Sequence, residues 1–326
     1  MKMKELSNLL GYRDTIRVMD VTMRDGGLVN DFFFTDELVK AMYLTNINAG
    51  VDSMELGYKA DKDLFDQDKF GKWKFCNDDD IYNVIGDNAE KKLKLAVMAD
   101  VGRCNYKEDI RPKSESAIDI IRVATYVNTI PECCHMIEDA KNKGYEVTCN
   151  IMALSTAQES DVKVALDMIS KSGVDILYIV DSFGSLYPEQ IARIAALYKE
   201  YGDKYGIEIG IHAHNNQQLA FANTIEACGD GVNWLDATYF GMGRGAGNCP
   251  MENLIAFLRN PKYRIYPVIK FIEDYMVPLS KECKWGYDVQ YLMTGLLNQH
   301  PRSAIKFTSD GREDYTGFYK EIVALD

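Results

Sequence analysis

Short apolar or β-branched runs alternate with amphipathic stretches along this chain. The runs are IRVMDVT (16–22), VDSMELGY (51–58), LKLAVMAD (93–100), AIDIIRVAT (117–125), EVTCNIMAL (146–154), VDILYIVDS (174–182), IEIGIHAH (207–214) and VNWLDATY (232–239). Their length and composition predict eight strands. Helical patterns lie between them. Residues 36–49 follow Thr35, an N-cap residue. Residues 132–143 follow Pro131 and stop before Gly144, 158–172 stop before Gly173, and 217–228 stop before Gly229. Residues 188–201 open on Pro188, which suits a first helical turn. After the second strand a long loop precedes a helix near 79–90, and after the third Pro112 interrupts the helical pattern.

Strands that alternate with helices build a parallel sheet. Eight such units predict an α/β fold of the (β/α)8 TIM-barrel type. An open doubly wound sheet is the alternative. The barrel is preferred because the strand count is eight and the informative polar residues fall at strand C-termini. DVTMRDGG, after the first strand, carries no dinucleotide-binding fingerprint. The expected organisation is a catalytic barrel over residues 1–259 and a short, mainly helical, aromatic-rich C-terminal extension over 260–326 that covers part of the barrel mouth.

The chain has 326 residues, 47% hydrophobic and 26% charged, which is ordinary for a globular protein with a large core. Its formal net charge of −12 disfavours nucleic acid and anionic membranes as partners. No apolar run approaches the roughly 20 residues of a membrane span. The N-terminal stretch MKMKELSNLLGYRD lacks the apolar core of a signal peptide. Eight scattered cysteines form no CxxC pair, and the expectation is a reduced, cytoplasmic protein.

In a barrel of this kind the chemistry sits at the C-terminal ends of the strands. There the rim carries Asp20, Thr22, Arg24 and Asp25, then Glu55 and Tyr58, Arg122, Asn150, Asp181 and Ser182, His212 and His214, and the stretch GMGRGAGNCPMEN (241–253). Two of the chain's four histidines stand two apart on one strand, hence on one face. Two adjacent imidazoles suit a metal ion, although two hydrogen-bonded core histidines are the plainer reading. The first and seventh strands are near neighbours once a barrel closes, so Asp25 can join them. One carboxylate and two imidazoles suit Mn²⁺, Co²⁺, Fe²⁺ or Mg²⁺, and Zn²⁺ less specifically. Gly241, Gly243, Gly245 and Gly247 serve either a phosphate cradle or a tight turn.

DVTMRDGG, HAHNN and GMGRGAGN together resemble the metal-dependent barrel lyases of the HMG-CoA lyase and isopropylmalate synthase superfamily. IIRVATY, YIVDSFGSLYPEQI and HAHNNQQLAFANTIEA look like its 4-hydroxy-2-oxovalerate aldolase branch, over residues 16 to 258. The resemblance implies Asp25, His212 and His214 as metal ligands, with Asn248 as a further one. It implies Arg24 as stabiliser of an enolate oxygen and Ser182 as partner of the 2-oxo acid carboxylate. Asp20 and Thr22 would brace Arg24 and the ligands. Arg122 and Asn150 join the substrate-binding set, although Arg122 serves equally as a core ion-pair partner. The cofactor expected is a divalent ion, Mn²⁺ first, with Mg²⁺, Co²⁺ or Zn²⁺ as alternatives.

The implied reaction makes or breaks a carbon–carbon bond next to a 2-oxo acid, of the type 4-hydroxy-2-oxo acid to pyruvate plus aldehyde, through a metal-stabilised enolate. A base must take the hydroxyl proton. The aldolase carries a histidine for this soon after its RDG motif, where this chain has Leu28. His300 is the one unassigned histidine with a route to the rim and stands as the candidate catalytic base. Tyr58, Tyr287, Tyr291 and a metal-bound hydroxide compete with it, and packing in the tail is its plainer role. The alternatives to an aldolase are an acyl-CoA-dependent Claisen-condensing enzyme and an altered barrel that serves as a binding partner. A homo-oligomer is expected. The tail is short and unlike the aldolase domain that docks an aldehyde dehydrogenase, so that partner is not.

Overall fold

The computed structural model describes residues 14–324; of the N-terminal stretch read for a targeting signal, all but Asp14 lies outside them. Eight parallel strands close into a barrel in chain order. They are β1 (Arg17–Asp20), β2 (Ser53–Tyr58), β3 (Lys94–Asp100), β4 (Ile120–Thr125), β5 (Glu146–Ile151), β6 (Ile176–Asp181), β7 (Glu208–Ala213) and β8 (Trp234–Ala237). The seam pairs Arg17 with Trp234 and Asp20 with Ala237. Each strand falls inside its predicted run and is shorter; at β1, β5, β6, β7 and β8 the run's last residues leave the sheet, and at β2, β3 and β4 only its first residues lie outside the strand.

Helices alternate with the strands. The first, α1 (Thr22–Gly26), is a single turn that takes the place of the expected end of strand one. It is followed by α2 (Asp36–Ala49), α3 (Asp78–Ile85), α4 (Tyr106–Asp109), α5 (Ile130–Asn142), α6 (Glu159–Ile169), α7 (Pro188–Tyr205), α8 (Ala220–Gly229) and α9 (Met251–Leu258). The Thr35 hydroxyl accepts the Leu38 amide and Gly50 closes α2 in the left-handed region, so both ends of that helix are written in its flanking residues. Pro112 precedes a short 3-10 turn, and α4 is accordingly only one turn long.

Two apolar layers hold the barrel. Met19, Val21, Ala96, Ile120, Ile176, Tyr178, Val180 and Trp234 fill its interior, while the outward faces of the strands pack against the helices. Each fully buried aliphatic side chain there contributes about 1.5–3 kcal/mol. The tail forms α10 (Ile265–Phe271), a π-helical turn at Ile272–Met276, α11 (Val277–Glu282), α12 (Val289–Leu296), α13 (Arg302–Ser309) and α14 (Tyr315–Val323). It leans on the barrel mouth. Trp285 Nε1 donates to the Phe240 carbonyl at 3.0 Å, Asn298 Nδ2 to the Ser155 carbonyl at 2.8 Å, and Asn216 Nδ2 to the Tyr291 carbonyl at 3.3 Å. Among the described residues no helix is long and apolar enough to cross a membrane.

Candidate metal centre

The short helix α1 turns the chain over the end of β1 and buries Arg24 and Asp25. Asp20 anchors that turn. Its carboxylate accepts the Thr22 amide, the Thr22 hydroxyl and the Asn46 amide group. Burial is the larger effect and pushes this carboxyl up to about 6 despite those bonds. The bracing role assigned to Asp20 and Thr22 thus has a concrete form. They fix the first turn of the helix that carries the ligand.

Across the mouth, His212 on β7 and His214 just past its end stand side by side, with ring centroids 4.9 Å apart. Asp25 Oδ2 lies 3.2 Å from His212 Nε2 and 3.1 Å from His214 Nε2. One ligand atom from each of the three residues lies within 4.8 Å of the others. The far nitrogens are already committed. His212 Nδ1 faces Asp236 Oδ2 at 3.0 Å, and His214 Nδ1 faces the Asp181 backbone carbonyl at 3.0 Å. Both acceptors demand a proton on Nδ1, which leaves the Nε2 lone pairs directed at Asp25, as metal-binding imidazoles require.

Three buried polar atoms support that reading of the site. Asp25 Oδ1, His214 Nε2 and Asn248 Oδ1 have no hydrogen-bond partner. Asn248 is tied to His214 by a backbone bridge and its Nδ2 donates to the Met242 carbonyl at 3.3 Å, so its oxygen is the spare group. Unsatisfied buried acceptors are costly unless something fills the site. Burial pushes the Asp25 carboxyl up, but Arg24 and the two imidazoles outweigh it and hold Asp25 well below the usual carboxylate range. Burial likewise drives His214 down to about 4, so that ring is neutral. His212 is opposed by burial yet raised by Asp236 and Asp25. A neutral imidazole and an ionised carboxylate are the ligand forms a divalent ion needs, so the residues present fit such an ion.

A buried chain of charges supports this set from below. Arg24 Nε donates to Glu55 Oε2 at 2.8 Å, and one of its terminal nitrogens lies 3.6 Å from Asp25 Oδ2. Arg122 donates to the same Glu55 oxygen at 3.0 Å and to Asp236 Oδ2 at 2.7 Å. Arg122 is fully buried, with its guanidinium carbon 4.4 Å from the centre of the Tyr178 ring. Expected to meet substrate, it instead holds the core ion-pair position, because both terminal nitrogens are committed inside the barrel. Asp236, which orients His212, was not singled out from sequence. Its signal was present as a lone acid inside the apolar run VNWLDATY.

The other expected residues are placed as follows. Ser182 Oγ accepts the Ala153 amide at 2.8 Å and keeps its own proton. Asn150 accepts from the Thr148 hydroxyl at 3.1 Å on β5. His300 reaches the rim from the tail, with its ring 5.6 Å from Phe183 in an edge contact. Its Nδ1 accepts the Arg302 amide at 3.1 Å, which puts the proton of the neutral ring on Nε2. In that tautomer the nitrogen facing Arg244 carries the proton, so His300 is not poised as the expected base. Burial pushes the Tyr58 phenol up as well, which makes it a poor base. Leu28 is 37% exposed at the rim. His135 lies on the outer helix α5 beside Glu132. Cys249 is buried, its thiol pushed up to about 12 by burial, as befits a structural residue. In the glycine-rich loop a Cβ at Gly243 would overlap the Asn248 amide, so the loop is glycine-rich to bring the chain close to the ligands.

Comparison with known proteins agrees with this architecture. The sequence profile of the HMGL-like family matches residues 15–273. A 4-hydroxy-2-oxovalerate aldolase from Pelotomaculum thermopropionicum is 29% identical over 251 residues, 77% of this chain and 72% of that protein. An oxaloacetate decarboxylase from Mycobacterium tuberculosis is 28% identical over 243 residues, 74% of this chain and 69% of that protein. The crystallised N-terminal domain of a candidate aldolase from Bacteroides vulgatus superposes with a TM-score of 0.75 at 25% identity, over 90% of this chain and 97% of that one. The carboxyl transferase domain of Rhizobium etli pyruvate carboxylase shares the fold at 15% identity, with a TM-score of 0.67 over 94% of this chain and 56% of that one.

Proposed function

This chain belongs to the HMGL-like family, and from that premise we propose that it is a divalent-metal-dependent lyase acting on the carbon–carbon bond next to a 2-oxo acid, with pyruvate as one partner and an aldehyde as the other. The observation that carries the reading is the convergence of Asp25, His212 and His214, with unpartnered acceptors on Asp25, His214 and Asn248 and with Arg24 beside Asp25. A divalent ion would be held by Asp25, His212 and His214, with Asn248 as a further ligand, and would supply Lewis acidity at the keto oxygen of a 2-oxo acid.

The protein's own groups do the rest. Arg24, clamped by Glu55, offers its outer guanidinium to the negative charge that develops on the keto oxygen as the bond breaks. Ser182 donates its hydroxyl proton to the 2-oxo acid carboxylate. Asp236 holds His212 in the Nδ1–H tautomer, and the Asp181 carbonyl does the same for His214. The tail flanks one side of the mouth through Trp285, Asn298 and Tyr291.

Leu28 favours a second reading. Decarboxylation of a 2-oxo diacid releases carbon dioxide and needs no base for a hydroxyl proton, and one relative is an oxaloacetate decarboxylase. The test is pyruvate release from 4-hydroxy-2-oxovalerate and from oxaloacetate with the Mn²⁺-loaded chain, against Mn²⁺ alone. Cleavage of the former supports the aldolase reading. Turnover of oxaloacetate only transfers support to the decarboxylase, and turnover of neither ends the decarboxylase reading and excludes acetaldehyde as the aldehyde partner.

A further inference from the structure

Arg244 differs from the other guanidiniums around the metal centre. Arg24 and Arg122 are each paired with carboxylates. Arg244, in the loop after β8, forms no ion pair among the described residues. One of its terminal nitrogens donates to the Ser182 carbonyl at 3.1 Å, and its buried Nε makes no hydrogen bond. The other terminal nitrogen faces His300 Nε2 at 3.5 Å. Because His300 Nδ1 accepts the Arg302 amide, Nε2 of the neutral ring carries a proton. Two N–H groups therefore point at each other with no acceptor between them.

Such a pairing is unfavourable by itself and becomes favourable when an anionic oxygen bridges both donors. The ring contact with Phe183 sets the His300 orientation, and the Ser182 carbonyl sets Arg244. The place adjoins the metal ligands, since the Arg244 charge is felt at His214. A partly buried cation left unpaired in a chain of net charge −12 is not explained by a shortage of carboxylates.

We propose that Arg244 and His300 form an anion subsite beside the metal centre, which takes a carboxylate or phosphate group carried by the aldehyde partner. Its substrate class rests on the lyase reading; its existence as an anion site does not. The 2-oxo acid carboxylate is the rival occupant, because Arg244 donates to the backbone carbonyl of Ser182, the residue proposed to hold that carboxylate. The groups that face the His300 ring are Arg244, Arg302 and His214, and with burial they press its pKa down to about 4. An anion in the subsite must raise it.

The test is an NMR titration of the histidine rings in the full chain, metal-free and Mg²⁺-loaded, with inorganic phosphate, acetate or pyruvate. His135, exposed on α5, serves as the internal reference. Phosphate or acetate is expected to raise the His300 pKa by about one unit or more and leave His135 unmoved; which of the two acts identifies the anion. Arg244→Gln is expected to weaken phosphate or acetate binding about tenfold or more. A shift with pyruvate alone reassigns the subsite to the 2-oxo acid and overturns the aldehyde assignment. No shift with any probe, or equal affinity in Arg244→Gln, overturns the subsite itself. In the kinetic arm, kcat/KM with pyruvate is compared for glyceraldehyde, glyceraldehyde 3-phosphate and glyoxylate. The expected preference for an anionic aldehyde is about tenfold. Anion binding without turnover of any aldehyde sinks the lyase reading and the aldehyde assignment while leaving the anion site standing.

Discussion

Asp236→Asn is the most informative perturbation of the metal centre, because it changes one charge and almost no volume. Asp236 Oδ2 accepts from His212 Nδ1 at 3.0 Å and from Arg122 at 2.7 Å. Charge-assisted hydrogen bonds contribute about 1.5–3 kcal/mol and neutral ones about 0.5–1.5 kcal/mol. Neutralising the acceptor of the His212 bond therefore removes roughly 1–1.5 kcal/mol of orientation and lowers the basicity of the opposite nitrogen. Loss of such an outer partner reduces metal affinity by about 10–100-fold. The two routes agree at the lower end, so a drop of about tenfold is the expected minimum. Competition of the metal-free protein against a chromophoric chelator for Mn²⁺ or Zn²⁺ measures it, with circular dichroism to verify folding. His212→Ala should lose bound metal under the same conditions, and His135→Ala should behave as the parent. A folded Asp236→Asn protein with affinity within about twofold of the parent would refute the assignment of His212 as an Nε2 ligand braced through Asp236.

Arg122→Met should destabilise the chain by about 3–5 kcal/mol in urea unfolding, because Glu55 and Asp236 are left buried with a missing partner; a loss below 1 kcal/mol on the same scale would contradict that ion-pair role. Asp20 has a folded pKa of about 6 against an ordinary 3.8, so the folded state binds its proton more tightly. Its contribution to stability is fully present below pH 3.8 and is lost as pH rises through about 6, by about 3 kcal/mol in all; the difference in unfolding free energy between Asp20→Asn and the parent should change across that window and be flat above it. Gly243→Ala should push Asn248 aside and weaken metal binding, read as a lower metal content after dialysis with the fold intact. The loaded protein should exchange the methyl protons of pyruvate with solvent deuterium faster than metal and buffer alone, as followed by NMR.

The barrel was legible because a buried parallel strand needs a short apolar run and each run is punctuated by a glycine or a helix cap. The rim was less legible. The one-turn helix Thr22–Gly26 is too short to show a helical period, and the RDGG stretch read as the end of a strand. Asp25, His212 and His214 could be brought together from sequence because strand spacing and barrel closure are geometric rules. Arg122 could not be assigned, since a buried arginine on a strand looks the same whether it meets a substrate or a carboxylate from another strand. Asp236 and Arg244 matter through partners far away in the chain, at His212 and His300, and no local pattern announces such pairings. The tautomer of His300 depends on the backbone amide of Arg302, a detail that only coordinates supply.

The residues gathered here straddle the join where the sheet closes on itself. Asp25 follows β1, His212 belongs to β7 and His214 follows it, and Asp236 sits on β8. An ion at that point would act as a clasp between the two ends of the strand order, and filling it should slow unfolding most where the barrel would otherwise unzip. Removing the ion should then lower the melting temperature, and returning it should raise that temperature with the concentration of free ion.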